Sequence, residues 1–362
     1  MTGSDFDGLP SQDGGPPPRI WVIAGAKTGD NAQILRAADA MGLPYEVKRI
    51  ALRPEFEIAK PKVSPSLHHI DRARSDTLAP PWPDLVITIG RRLSLVALWI
   101  KQQQAGGRCK IALFNAPKGD FARFDLIVAP AYYKIPDTPS VCRIGLPLIE
   151  ADAAKIAASA QRFAGSIGAM KKPLNVLLLG GPTGHMRLDG AVALDILETM
   201  RRTFASVGSI FASTSRRTPL EVADAIAGRL APGDKLHRWS ANEPDNPLHA
   251  LMAFGDVFTV TGDSVSMITE VARLGRSLVI ADLPAKKTVV SSVLRALGRA
   301  APIFQHWLSP GQSRDFEDLY RYLHEGGHAV KLGEMPRPPA RPPDDDTMMV
   351  ARRLRHLAGV SG

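Results

Sequence analysis

A chain of 362 residues, 44% hydrophobic and 6% aromatic, is long enough for two domains with separate cores and fits a soluble α/β protein. Its formal net charge of +9 favours anionic partners: phosphorylated small molecules, an anionic membrane surface or nucleic acid. No zinc-finger spacing or RNA-binding signature supports specific nucleic-acid recognition; Cys109 and Cys142 exclude a disulfide framework or cysteine metal cluster; and no run of about 18 apolar residues is present to span a bilayer.

Residues 1–18, rich in Gly, Pro, Ser and Asp, read as a disordered tail. The acidic start lacks the apolar core of a signal peptide, so the expected location is cytoplasmic, free or peripheral at the inner face of the membrane. Residues 19–150 read as a first Rossmann-like domain. Strands are expected at Arg19–Ala24, Tyr45–Ile50, Leu85–Ile89, Ile111–Phe114, Leu126–Val128 and Val141–Ile144, as apolar runs of the kind buried on both faces of a parallel sheet. Helices are expected over Asn31–Met41 and Leu93–Gln104, and 53–83 is a proline-rich connection. The adjacent His68 and His69 share no face, which disfavours a metal site. In open parallel sheets ligands bind beyond the carboxyl ends of the strands. That rule puts Lys27, Asp30, Asn31, Arg91, Arg92, Asn115 and Lys118 on one rim.

Residues 151–172 read as an interdomain linker helix, and 173–330 as a second Rossmann-like domain. Its expected strands are Asn175–Leu179, Ser209–Ser213, a strand end with loop at 239–247, Val257–Val260 and Ser277–Ala281. Helices are expected over Asp189–Phe204, from Pro219 to about 230, and over 248–256, 266–274, 286–303 and 313–325. Residues 331–346 form a second proline-rich connection. Thr347–Leu357 sets Met348, Met349, Ala351, Leu354 and Leu357 against Arg352, Arg353 and Arg355, an amphipathic terminal helix.

Three turns of the second domain converge on its carboxyl rim. The first carries Gly180, Gly181 and Thr183, where bare backbone would let a ligand approach. The second carries Ser215, Arg216 and Arg217, and arginine suits bidentate contact with phosphate. The third, Gly262, Asp263, Ser264, Ser266 and Met267, opens a helix whose unpaired N–H groups form an anion site. Glu270, one and a half turns in, could accept two hydrogen bonds from a ribose diol. Alternatively, Ser264 caps the helix, Glu270 is a solvated helix residue and the arginines are a surface turn.

The run G-D-S-x-S-M-x-x-E at 262–270 resembles the nucleotide-diphosphate signature of GT-B glycosyltransferases. Together with G-x-x-x-G-D-N-x-Q at 25–33, G-R-R at 90–92, L-G-G-P-T at 179–183 and T-S-R-R-T-P at 214–219, it makes residues 19–330 similar to bacterial members of the plant mitochondrial-fission "elongated mitochondria" family. The resemblance implies two Rossmann-like domains facing across a cleft in a GT-B-like fold. It implies a last helix crossing back to the first domain, and a nucleotide-diphosphate sugar on the second-domain turns. The acceptor, envelope or lipid-linked, would come from the first domain, with Asp30 as general base or simply as a helix cap. No metal and no cofactor beyond the sugar nucleotide is implied. A regulatory membrane-associated protein and a sugar-nucleotide epimerase are the alternative readings.

Overall fold

The computed structural model describes residues 16–58, 64–104, 106, 108–117, 120–183, 186–241, 246–286 and 316–360. The expectations for residues 1–15, Lys118, Gly184-His185, Asn242-Glu243-Pro244, most of the 286–303 helix and the start of the 313–325 helix lie outside them. The described residues divide into two compact units. One runs to Ile149 and takes up the chain again from Asp345; the other holds Glu150–Lys286 and Phe316–Asp344.

The first unit is a six-stranded sheet in the order β2-β1-β3-β4-β5-β6. Its strands are β1 (Ile20–Ala24), β2 (Glu46–Arg49), β3 (Leu85–Ile89), β4 (Lys110–Phe114), β5 (Leu126–Pro130) and β6 (Val141–Ile144). Every pairing is parallel. β1, β3 and β5 are buried at every residue, which is why they read as unbroken apolar runs; β2, at the edge, is the half-polar Glu-Val-Lys-Arg. Helix α1 (Thr28–Ala40) starts one turn earlier than expected. The Asn31 amide explains this: its Oδ1 accepts the Gly25 N–H at 3.0 Å and its Nδ2 donates to the Gly25 carbonyl at 2.7 Å, folding the β1 loop back onto the helix start. A short helix, α2 (Glu55–Ile58), interrupts the first proline-rich connection. Helix α3 (Gly90–Gln102) also begins early, because Gly90 at φ +73° turns the chain directly out of β3.

Asn115 ends β4 at φ +68°, a left-handed backbone that asparagine tolerates better than branched residues do. Asn115→Val is expected to cost about 1–2 kcal/mol in urea unfolding, while Asn115→Gly stays close to wild type.

The second unit is a six-stranded parallel sheet in the order β12-β11-β10-β7-β8-β9. The strands are β7 (Leu174–Leu179), β8 (Ser209–Thr214), β9 (Lys235–His237), β10 (Val257–Thr261), β11 (Ser277–Ala281) and β12 (Val330–Lys331). The helices are α4 (Ala153–Phe163), α5 (Gly190–Thr203), α6 (Leu220–Ala227), α7 (Leu248–Phe254), α8 (Val265–Arg273) and α9 (Phe316–Glu325). Helix α4, expected as a linker, packs on α7 within this unit. The expected strand end at Trp239 is corrected: the strand is the upstream Lys-Leu-His of β9, a three-residue edge strand with no apolar run to reveal it. The chain runs outward from β7 to β9, then returns to β10 on the other side of β7. The strand order therefore reverses between β7 and β10, the position at which open parallel sheets place their ligands.

Helix α10 (Thr347–Leu357) packs on α1 of the first unit through buried Val350, Ala351 and Leu354. Asp345 accepts from Arg36 at 2.8 Å and from the Thr347 hydroxyl at 2.6 Å, and Asp346 accepts the Gly145 N–H at 2.8 Å. Arg355 donates to the Met41 carbonyl at 2.8 Å. Among the described residues, no helix is long and apolar enough to cross a membrane.

Candidate functional site

The loops after β7, β8 and β10 meet at the reversal point of the second sheet, and Asp263 holds them together. Its side chain is fully buried. Oδ2 accepts the Gly181 N–H at 2.9 Å, the Arg217 guanidinium at 2.8 Å and the Ser264 hydroxyl at 3.3 Å, while Oδ1 accepts the Thr261 hydroxyl at 2.8 Å. Thr261 Oγ1 in turn accepts the Gly180 N–H at 2.8 Å. Arg217 also donates to Thr183 Oγ1. Within the second loop, Thr218 Oγ1 accepts the Ser215 N–H at 2.8 Å, and Ser215 Oγ accepts the Arg217 N–H at 3.3 Å.

This network changes the reading of the small residues. A methyl group at Gly180 would fall on the Ser264 hydroxyl and the Asp263 carboxylate, and one at Gly181 would lie 2.6 Å from the Arg217 carbonyl carbon. The glycines make room for the neighbouring loops. Arg217 is likewise engaged within the protein. Arg216 is exposed and has no hydrogen-bond or ion-pair partner among the described residues. Ser264 stands at the N-cap position of α8 without capping it, its hydroxyl being turned to Asp263. Ser266 is exposed and Met267 half-buried in the first turn. That turn leaves backbone N–H groups without helical acceptors.

Glu270 follows on the same helix, half-buried. Burial pushes its carboxyl up from an ordinary 4.5 to about 7, and no hydrogen-bond or ion-pair partner faces it among the described residues. Two aromatics escaped the sequence reading. Trp239 is exposed, and its backbone N–H donates to Thr214 Oγ1 at 2.8 Å, which fixes it beside the Ser215–Thr218 loop. Tyr320 on α9 is buried against Gly262, its hydroxyl without a hydrogen-bond partner among the described residues. Trp239, alone in a polar stretch, carries no periodic signal.

The first-unit residues lie beyond the carboxyl ends of β1, β3 and β4, as the sheet rule requires. Lys27 precedes α1, and its ammonium stands 3.8 Å from Asp30 in the first turn. Asn31 serves the Gly25 backbone. Arg91 and Arg92 are half-buried at the start of α3; the Arg91 carbonyl accepts from the Ser94 hydroxyl at 2.9 Å and the Arg92 carbonyl from His69 Nε2 at 2.9 Å. Burial holds the His69 imidazole below its usual range, so the ring is neutral, with Nδ1 as its unprotonated nitrogen. Direct hydrogen bonds thus unite the three second-unit loops.

The model of the family described as "Mitochondrial fission ELM1" matches residues 28–357. The "Mitochondrial fission protein ELM1" of Arabidopsis thaliana is 27% identical over 220 residues, covering 55% of this chain and 51% of that protein. The chain therefore spans about half the length of this plant relative. "Uncharacterized protein RP120" of Rickettsia prowazekii (strain Madrid E) is 23% identical over 299 residues, covering 72% of this chain and 82% of that protein. Among solved structures, the "S. aureus MnaA-UDP co-structure" superposes with a TM-score of 0.50 at 11% identity, over 95% of this chain and 98% of that one. A glycosyltransferase from Rickettsia africae ESF-5 gives a TM-score of 0.48 at 10% identity, over 95% and 98% of the two chains. The likeness is one of fold: two Rossmann-like domains, each a parallel six-stranded sheet flanked by helices, the GT-B-like fold class.

Proposed function

The chain belongs to the mitochondrial fission ELM1 family, and from that premise we propose that it binds a nucleotide-diphosphate sugar on its second unit and transfers the sugar, without a metal ion, to an envelope or lipid-linked acceptor. The observation that carries the reading is Glu270. Glu270 is half-buried with no cation or donor facing it among the described residues, so its ionised form carries a desolvation cost that a ligand's donors would offset. A ribose diol supplies two O–H donors, and α8 presents its unpaired N–H groups one turn away for the diphosphate. Arg216 is free to meet the phosphates, and Trp239 offers a face for the base.

In the transfer, the acceptor oxygen bonds to the anomeric carbon while the bond from that carbon to the diphosphate oxygen breaks. The departing charge is stabilised by Arg216 and the helix start. Asp30 takes the acceptor proton. A second reading, a nucleotide-binding regulator at an anionic membrane surface, is favoured by two features. Asp30 lies beside Lys27 like an ordinary helix-start carboxylate, and α10 exposes Met348, Met349, Arg352 and Arg353.

Thermal-shift measurements with UDP-, GDP-, ADP- and CMP-sugars and the free nucleotides test the proposal. A ligand at about 100 times its dissociation constant adds about 2.7 kcal/mol, a clear rise in melting temperature. Silence across the panel at millimolar ligand rules the binding out. Binding with neither transfer nor hydrolysis selects the regulator reading. Trp239→Ala is expected to weaken nucleotides by about 1–3 kcal/mol in calorimetry while leaving inorganic pyrophosphate unaffected. Equal losses for both ligands would remove the base-stacking role.

A further inference from the structure

The best-satisfied charge of the second unit sits where a ligand's charge is expected. The buried Asp263 carboxylate takes the Gly181 N–H, the Arg217 guanidinium and the Thr261 and Ser264 hydroxyls. A backbone N–H from a glycine loop and an arginine fork are the donors a phosphate group uses. Arg216, the adjacent residue, is exposed and uncommitted among the described residues.

We propose that Asp263 is a resident anion. Its carboxylate fills a phosphate-type donor set between the β7 and β10 loops and neutralises Arg217, so that Arg216, not Arg217, meets the diphosphate. The inference rests on the nucleotide-sugar reading above and deepens it into a rule of specificity. The Arg217–Asp263 pair is electrically neutral and already ordered, so the loops are in place before any ligand arrives. Because Asp263 cancels the charge of Arg217, the pair leaves no net positive charge immediately before α8, and an additional negative charge on a ligand gains no attraction from it. A sugar nucleotide is a diphosphate diester; the nucleoside diphosphate left after transfer carries one more charge on its terminal phosphate. The site therefore gives the more highly charged leaving group no extra hold over the donor, which eases its release. Asp263 and Arg217 are positioning residues in this scheme and touch no reacting atom.

Calorimetry on the full chain with UDP, UDP-N-acetylglucosamine and inorganic pyrophosphate tests it. Asp263→Asn frees the Arg217 guanidinium and is expected to tighten UDP and pyrophosphate about tenfold, and the sugar nucleotide less. Arg217→Ala leaves the buried carboxylate uncompensated and weakens all three ligands about tenfold. The double variant returns close to wild type. Arg216→Ala weakens all three with no change in melting temperature. A double variant as weak as Arg217→Ala, or a weakened Asp263→Asn, overturns the proposal, because Arg217 would then hold the phosphate itself. If Asp263→Asn does not fold, Arg217→Lys decides: wild-type affinity supports a charge-neutralising role, and a loss comparable to that of alanine refutes it. If wild type binds pyrophosphate but neither nucleotide, the nucleotide-sugar reading fails while the charge cycle can still be measured. If wild type binds none of the three, both fall.

Discussion

Replacing Glu270 with glutamine raises the melting temperature at pH 8 by roughly 5 °C, leaves it unchanged near pH 4, and shrinks the stabilisation produced by a sugar nucleotide. The folded protein holds the Glu270 proton up to about pH 7, whereas the unfolded chain releases it near 4.5. Between those values the folded state binds more protons, so this group's contribution to stability falls as pH rises through the window. Above pH 7 the full cost of an ionised, desolvated carboxylate is present. At about 1.4 kcal/mol per pKa unit, reduced for partial exposure, that cost is about 2 kcal/mol. Glutamine does not titrate and avoids it. On the proposed reading, ribose hydroxyls bind the ionised carboxylate, so wild-type affinity is expected to rise through neutral pH with proton release, and the variant to lose both the affinity and its pH dependence. Stability and binding then move in opposite directions, as expected where a residue is kept for a ligand rather than for the fold. A lower melting temperature for the variant at pH 8 would instead make Glu270 a structural residue.

Gly181→Ala is expected to destabilise the second unit by about 3 kcal/mol, which lowers its melting temperature by roughly 6–12 °C. The new methyl group would meet the backbone carbonyl of Arg217, and backbone cannot rotate aside as a flexible side chain can. The displacement would also pull Gly181 N–H and Arg217 off Asp263, leaving a buried carboxylate short of donors. Gly29→Ala in the first turn of α1 is the matched control. Nothing lies within 4 Å of its added methyl group, and the residue is helical, so stability should rise by about 0.5–1 kcal/mol. Paired thermal and urea melts read both; a neutral Gly181→Ala would mean that the β7 and β8 loops can separate at little cost.

The central strands were legible because burial on both faces leaves them no polar positions. Leu85–Ile89 and Ser277–Ala281 fall where their apolar runs do, and Thr347–Leu357 follows its own periodicity. Helix starts were read late. The first turns Thr28-Gly29-Asp30 and Gly90-Arg91-Arg92 are polar and glycine-bearing, so the periodic signal begins a turn after the hydrogen bonding does. The site was legible as a set of loops and not as a set of partners. Arg217 and Asp263 are 46 residues apart, and no spacing rule reveals that the arginine assigned to a phosphate already faces a carboxylate. Asn31 is the same case at short range: its amide, assigned to the ligand rim, serves the Gly25 backbone. Trp239, set in a polar segment, becomes visible only once its backbone is seen anchored to Thr214.

The docking of α10 on α1 has a consequence for how the protein is made. Arg36 and Asp345, which join the two helices, are 309 residues apart. On the ribosome the first sheet emerges early, yet the outer face of α1 cannot be covered until the chain has passed Leu357. The unit synthesised first is the last to be completed. Throughout translation of the second unit, the α1 side chains that later bury Val350, Ala351 and Leu354 stand open to water or to a chaperone.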